Sequence, residues 1–144
     1  MPQLANQESR GFTHFFRITG TELATTGYLT SSEKLIASLP AGGIITNAAV
    51  VVNNALTGVD NITISVGTVT GTATNLIAST DLDALTKVAY NTGSAVDTEP
   101  GLINNTTAAI PVFARFGGTV GSLTGGDFTI ALTILDPGAI STGV

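Results

Sequence analysis

The sequence predicts an all-β protein, a jelly-roll-like antiparallel β-sandwich with a short helical turn and an extended N-terminal arm. Three observations lead to this prediction. Several short segments alternate apolar and polar residues with a period of two, the pattern of strands with one face in a core. Gly-Gly and Asn-Asn pairs, one of them preceded closely by a Pro, separate these segments, as expected for turns. No long segment places apolar residues at helical spacing, which argues against alternating strands and helices.

The alternation is clearest in segment 128–134, where Phe, Ile and Leu alternate with Thr and Ala. Segment 62–66 alternates in the same way. Pro111, a residue compatible with the first position of a strand, precedes segment 112–116. The apolar segment 44–52 is predicted to be a central strand. In chain order the predicted strands are 12–19, 35–39, 44–52, 62–66, 76–79, 88–90, 112–116 and 128–134.

The remaining segments complete the predicted organisation. Thr80 is followed three residues later by Asp83, the form of a capping box, so one or two helical turns are expected there. The glycine-rich segment 117–126 lacks the Lys-Ser or Lys-Thr pair of a phosphate loop and is expected to be a long mobile loop. Residues 1–11 are predicted to form an arm that orders on assembly, and residues 12–144 a single β-sandwich domain.

The composition indicates an oligomer. Charged residues make up 10% of the 144 residues, against roughly 25% in an ordinary soluble domain. Thr, Ser, Asn and Gly take their place. Such a surface lacks the charge that normally keeps a protein apart from its neighbours, so we expect much of it to be covered by other protein chains.

Other features exclude several function classes. The net charge is −5, and Lys87 and Arg115 are the only cations after residue 34, so direct binding of nucleic acid is not expected. A membrane helix needs about 20 nearly continuous apolar residues, and none is found. The first ten residues lack the apolar core of a secretory signal, so synthesis in the cytoplasm without export is expected. The chain has no Cys, so disulfide bonds and thiolate chemistry are both excluded.

Candidate catalytic and metal-binding residues are few. His14 is the only histidine and no Gly-x-Ser-x-Gly motif accompanies it, so the favoured interpretation is a packed or interfacial strand residue rather than a catalytic one. Asp81 and Asp83 are weak candidates for metal ligands, and helix capping is the favoured alternative. We therefore expect no enzyme activity and no cofactor.

An aromatic cluster near the N-terminus indicates an interface. Phe15 and Phe16 are adjacent, so in a strand they face opposite sides. Burial of the strand between layers and contact of its outer face with a neighbour remain open as explanations. The interface candidates are Phe12, His14, Phe15, Phe16, Arg17, Phe113 and Arg115.

The middle of the chain resembles the small head decoration, or cement, proteins of tailed bacteriophages, which have a jelly-roll β-sandwich. The likeness covers roughly residues 39–85, and the strand 128–134 fits the expected ending. The segments that carry it are Leu39-Pro40-Ala41-Gly42-Gly43-Ile44, Val50-Val51-Val52-Asn53, Ile62-Thr63-Ile64-Ser65-Val66-Gly67 and Leu76-Ile77-Ala78-Ser79-Thr80-Asp81-Leu82.

This resemblance implies a homotrimer on the outer surface of the virion capsid, bound to the major capsid protein at threefold positions, with no active-site residues. Two alternatives remain. The first is a structural or receptor-binding module of a phage tail or fibre. The second is a carbohydrate-binding or hydrolytic β-sandwich. Against it stand the absence of Trp and the presence of only Tyr28 and Tyr90, because sugar sites usually present aromatic faces.

Overall fold

The structure, a computed structural model, describes residues 11–25, 33–58, 61–69, 71–82, 88–96 and 101–136. A helix, α1, spans Gly20–Thr25, and a 3₁₀ turn spans Val120–Ser122. In chain order the strands are β1 (His14–Thr19), β2 (Glu33–Leu39), β3 (Ile44–Thr57), β4 (Thr63–Gly67), β5 (Ile77–Asp81), β6 (Val88–Tyr90), β7 (Leu102–Ile103), β8 (Ile110–Gly117) and β9 (Gly125–Leu135).

The strands form two antiparallel sheets. One has the order β1-β9-β3-β6, with β7 also paired to β3, and the other has the order β2-β8-β4-β5. The pairs are nested along the chain, because β1 pairs with β9, β2 with β8, β3 with β6 and β4 with β5. This nesting over two sheets is the arrangement of a jelly roll. The predicted all-β sandwich is therefore confirmed.

The core lies between the two sheets. Phe128, Ile130 and Leu132 of β9 are fully buried, on the face that the alternation in the sequence predicted. Phe116 of β8 belongs to the other sheet, and its ring centroid is 5.9 Å from that of Phe128. This aromatic pair joins the two sheets at the centre of the core, where burial of apolar surface is the main stabilising contribution.

The helical turn occurs at Gly20–Thr25 and not directly after Thr80. Thr19 caps it, because its Oγ1 accepts a hydrogen bond from the backbone N–H of Glu22 at 3.1 Å, which satisfies one of the free donors of the first turn. Thr80 lies in β5 instead, so it does not begin a helix. Residues 83–87, the rest of the predicted helical segment, lie outside the described residues.

The glycine-rich segment 117–126, predicted to be a long mobile loop, is anchored to the core. Val120 in the 3₁₀ turn and Leu123 after it are both buried. The backbone N–H of Thr124 donates to the carbonyl of Thr57 at 2.8 Å. Buried apolar groups and a backbone hydrogen bond raise the free energy of local opening, so this segment is part of the packed structure.

Every predicted strand overlaps an observed one. β3 is longer than predicted, since it continues past residue 52 to Thr57 through places where its register with β9 shifts. The two-residue strand β7 was not predicted. Of the predicted N-terminal arm, only Gly11 lies within the described residues. Within the described ranges, no helix has the length and apolar character that crossing a bilayer requires.

Candidate protein interface

The outer face of the five-stranded sheet carries a groove of about 790 Å³, which we call the outer groove. The register places Phe15, Ala131, Ala49 and Tyr90 side by side across β1, β9, β3 and β6. Small side chains of the central strands β3 and β9 therefore form the floor of the groove. Larger side chains of the edge strands β1 and β6, together with Phe12, form its walls.

Three aromatic rings close one end of the outer groove. The ring centroid of Phe12 is 6.3 Å from that of Phe15 and 6.4 Å from that of Tyr90, with interplanar angles of 71° and 86°. The Tyr90 hydroxyl donates a hydrogen bond to Asn47 Oδ1 at 2.7 Å, which holds its ring in place. Phe15 and Tyr90 are 52% and 55% exposed. This end of the groove therefore offers rigid apolar surface to a partner.

A carboxylate lies beside the other end, next to the lining residue Asn53. Asp127 accepts hydrogen bonds from Arg17 Nε at 2.7 Å, from Asn53 Nδ2 at 3.2 Å and from Asn54 Nδ2. The hydrogen bond from Asn54, followed by that from Arg17, holds the pKa of Asp127 below its ordinary value, although desolvation opposes them. The Asp127 side chain is 6% exposed and that of Arg17 67%. The carboxylate is thus satisfied within the protein, whereas the guanidinium lies at the rim.

Charge is scarce on this outer face, and apolar side chains are frequent. Arg17 and Asp127 are the only charged residues at outward positions of the strands described in this sheet. Seven large apolar side chains are exposed in the described part of the chain, and five of them lie on this face: Phe15, Val88, Tyr90, Ile103 and Leu135. Exposed apolar groups concentrated in this way are typical of an interaction surface.

The outer face of the four-stranded sheet exposes fewer large apolar side chains than the groove face and carries more charged residues. Leu35 of β2 lies beside Phe113 of β8, and Leu35 is 57% exposed. Glu33 lies opposite Arg115 on the same two strands, an arrangement of opposite charges that favours strand pairing. This face offers one apolar pair flanked by charged groups, and so less exposed apolar surface than the groove face.

The seven interface residues predicted from the sequence do not lie on one surface. Phe12, Phe15 and Arg17 lie on the groove face. Phe113 and Arg115 lie on the outer face of the four-stranded sheet. His14 and Phe16 lie on the core-facing side of β1. That any of them contacts a partner stays a prediction.

The opposite orientation of Phe15 and Phe16 is confirmed. Phe16 pairs with Ile130 on the core-facing side of β1 and packs against the core, whereas Phe15 points outward. His14 is an exposed residue of the same strand, and its Nδ1 lies 2.7 Å from the Thr13 hydroxyl.

Of the two candidate metal ligands, Asp81 is exposed at the end of β5 and Asp83 lies outside the described residues. Among the residues that the structure describes, no three His, Asp or Glu side chains are grouped closely enough to hold a metal ion.

Val88 and Asn53 line the groove and Asp127 bonds to Asn53, but none of the three was predicted from the sequence. A signal existed for Val88, because Val88 and Tyr90 flank the buried Ala89 and so share the outer face of β6. No local signal existed for the polar end, since Asn53 and Asp127 are 74 residues apart in the chain. Only the pairing of β3 with β9 brings them together.

The sequence matches no protein-family model and no curated protein. The fold, however, is similar to that of two chains from solved phage structures. One belongs to the capsid asymmetric unit of cyanophage Pam1, with a TM-score of 0.52, 17% identity, and coverage of 83% of this chain and 79% of that one. The other belongs to the capsid of Ralstonia phage GP4, with a TM-score of 0.56, 15% identity, and coverage of 85% and 83%. At these identities the similarity establishes a shared fold.

Proposed function

We propose that this chain is a structural virion protein of a bacteriophage, a decoration or cement protein that binds the outside of the head and stabilises the shell. The observation that carries the proposal is the similarity of its fold, over 83% and 85% of its length, to chains of two phage capsid structures. The low charge content of 10% supports it, because a protein held against neighbours needs little surface charge to stay soluble. The role requires no catalytic step.

The stabilising mechanism in this proposal is linkage between binding and assembly. A protein that binds the assembled shell, and not its free subunits, lowers the free energy of the assembled state by RT ln(1 + [L]/Kd) at each site. The shell repeats the same site many times, so the effect accumulates over the whole particle. A homotrimer at a threefold position gains further affinity, because its second and third contacts form at high effective concentration.

Cryo-electron microscopy of virions tests this role, with particles from a phage that lacks the gene as the control. We expect density for the chain on the outer surface of the head, lost in the deletion particles, and release of DNA from the deletion heads at a lower temperature. Density confined to a tail or fibre would overturn the decoration role. Absence of the chain from the particle would overturn any role as a virion protein.

Multi-angle light scattering of the purified protein tests the trimer. The expected mass is three times the 14.5 kDa of the chain. A mass of one chain at high protein concentration would contradict the proposal that the protein acts as an oligomer.

A further inference from the structure

We infer that the outer groove binds an extended, uncharged, apolar segment of a shell protein, which makes the outer face of the five-stranded sheet the side that meets the shell. The inference rests on the proposed function and adds to it the binding surface and the chemistry of the bound segment.

The dimensions of the groove fit a short extended segment. Its walls stand on β1 and β6, which are separated by β9 and β3. Three interstrand gaps of about 4.8 Å separate the two walls by about 14 Å. At about 3.4 Å per residue, an extended chain spans that distance with about four residues. The volume of about 790 Å³ falls within the range of roughly 300–1,000 Å³ that is usual for binding clefts.

The lining fits apolar side chains. Ala49, Val51 and Ala131 supply an apolar floor, and the exposed Val88 and Tyr90 supply an apolar wall. Aromatic residues and Arg are enriched where protein interfaces gain most of their binding energy. The segment that fills this groove therefore presents small or medium apolar side chains.

The polar end of the groove fits a peptide backbone. Arg17 lies beside the groove on the same face and uses Nε for Asp127. Within the described residues neither of its terminal nitrogens donates a hydrogen bond, so in this part of the chain both can donate to backbone carbonyls of a bound segment. Asn53 uses its Nδ2 for Asp127 and for Thr129, at 3.2 and 2.9 Å. In the part of the chain that the structure describes, its Oδ1 accepts no hydrogen bond, so it can accept one from a backbone N–H of the segment.

The same contacts disfavour a charged segment. The carboxylate of Asp127 is already satisfied by Arg17, Asn53 and Asn54. No second acidic side chain lies at an outward position of the strands described in this sheet. A cation buried in the groove would therefore lack a free counter-ion, and an anion would meet only Arg17, whose charge Asp127 already neutralises. Burial of a charge without a counter-ion of its own is costly.

Two other occupants fit less well. A second copy of this face is disfavoured because both surfaces would be concave, so the two grooves would enclose an empty space. A sugar is disfavoured because Phe12 meets Phe15 and Tyr90 at interplanar angles of 71° and 86°. Such rings form a notch for a compact side chain, not the flat platform on which a sugar ring stacks.

The area of the face is sufficient for specific binding. The strands of this sheet contain 6, 11, 14, 3 and 2 residues. At about 3.4 Å per residue and 4.8 Å per strand they cover about 600 Å² in flat projection. Each partner in a standard protein interface contributes about 800 Å² of accessible surface, which a side-chain-covered face of this size can supply.

Two groove variants with a matched control test the inference. Val88→Asp places a charge on the groove wall, and Phe15→Ser removes an aromatic wall. Leu35→Asp is the control, because Leu35 is 57% exposed on the opposite face and Val88 is 59% exposed. Circular dichroism and light scattering first establish that each variant keeps the fold and the oligomeric mass of the wild type.

The measurement is binding of each purified protein to heads assembled without this chain. We expect Kd for both groove variants to rise at least about 30-fold, the loss of one strong interface contact, and Kd for Leu35→Asp to change less than about threefold. If the wild type fails to bind heads, the proposed function fails, and this inference with it. If the wild type binds and the groove variants bind equally well, the inference is wrong and the proposed function stands.

Two further outcomes also overturn the inference. Groove variants that become monomeric where the wild type is an oligomer would show that the groove joins copies of this chain. Binding on a glycan array that Val88→Asp abolishes would identify the groove as a carbohydrate site.

Discussion

Replacing Phe128 with Ala removes the contact that joins the two sheets at their centre. Phe128 is fully buried, and its ring lies 5.9 Å from that of Phe116 at an interplanar angle of 57°. The cavity left behind has little means to close. Phe128 lies on β9, which is held by β1 and β3, and Phe116 lies on β8, which is held by β2 and β4.

The expected loss of stability follows from these contacts. Truncation of a buried Phe to Ala costs about 3–5 kcal/mol, because burial is lost and a cavity remains. Loss of the aromatic pair adds about 0.5–1.5 kcal/mol. We therefore expect the free energy of unfolding to fall by about 3.5–6.5 kcal/mol, a large part of the roughly 5–15 kcal/mol of an ordinary domain. At about 3–4 °C per kcal/mol for a chain of this size, Tm falls by roughly 10–25 °C.

Urea and thermal unfolding followed by circular dichroism measure this loss, and Phe15→Ala is the control. The control makes the same chemical change at a side chain that is 52% exposed, so we expect it to cost less than about 1 kcal/mol. Both proteins are compared at the same concentration, since oligomerisation adds to apparent stability. If Phe128→Ala costs no more than Phe15→Ala, the assignment of the core face of β9 is wrong.

Three further predictions concern single residues. Because the pKa of Asp127 is lowered in the folded protein, this carboxylate stabilises the fold above about pH 4, the pKa of an unfolded carboxyl, and the stabilisation is lost as the pH falls through the folded pKa. In urea unfolding between pH 7 and pH 2.5, the free energy of unfolding should therefore fall more steeply for the wild type than for Asp127→Asn. Gly126 has a φ of 90° and a Cβ there would collide with a backbone carbonyl, so Gly126→Ala should lower Tm by several degrees, whereas Gly121→Ala, with nothing within 4 Å, should leave it nearly unchanged. Asn104 is fully buried and its Nδ2 donates to three backbone carbonyls at 2.8–3.1 Å; Asn104→Ala should cost about 2–4 kcal/mol in urea unfolding, and the exposed Asn105→Ala less than about 0.5 kcal/mol.

The strands could be predicted because their signal is local. In segment 62–66, as in 128–134, each residue's neighbours in the sequence determine which side chains share a face. The order of strands in the sheets has no such signal. The pairing of β1 with β9 brings together residues more than 100 positions apart, and it depends on which apolar faces can be buried together.

The helical turn follows Thr19, although the sequence was interpreted as favouring a turn after Thr80. Thr19 and Glu22 have the Thr-x-x-Glu spacing of a capping box, and Thr80 and Asp83 have a similar spacing. The capping box prefers Glu or Gln at its last position, where the longer side chain reaches back to the backbone N–H of the cap. That preference favours Thr19. In the structure, Thr19 does accept the hydrogen bond from the Glu22 backbone.

From the sequence, the two adjacent phenylalanines of β1 could be buried between layers or exposed to a neighbour, and the fold places one on each side of the strand. Phe16 contributes to the core, so its apolar character is explained by folding. Phe15 points away from the core, and among the described elements no second layer of the sandwich covers that face. The fold gains little from an exposed aromatic side chain there, and the same holds for Val88 and Tyr90 on the far wall of the groove. Apolar groups that are exposed together on one face are typical of an interaction surface, and the proposed contact with a shell protein rests on this concentration.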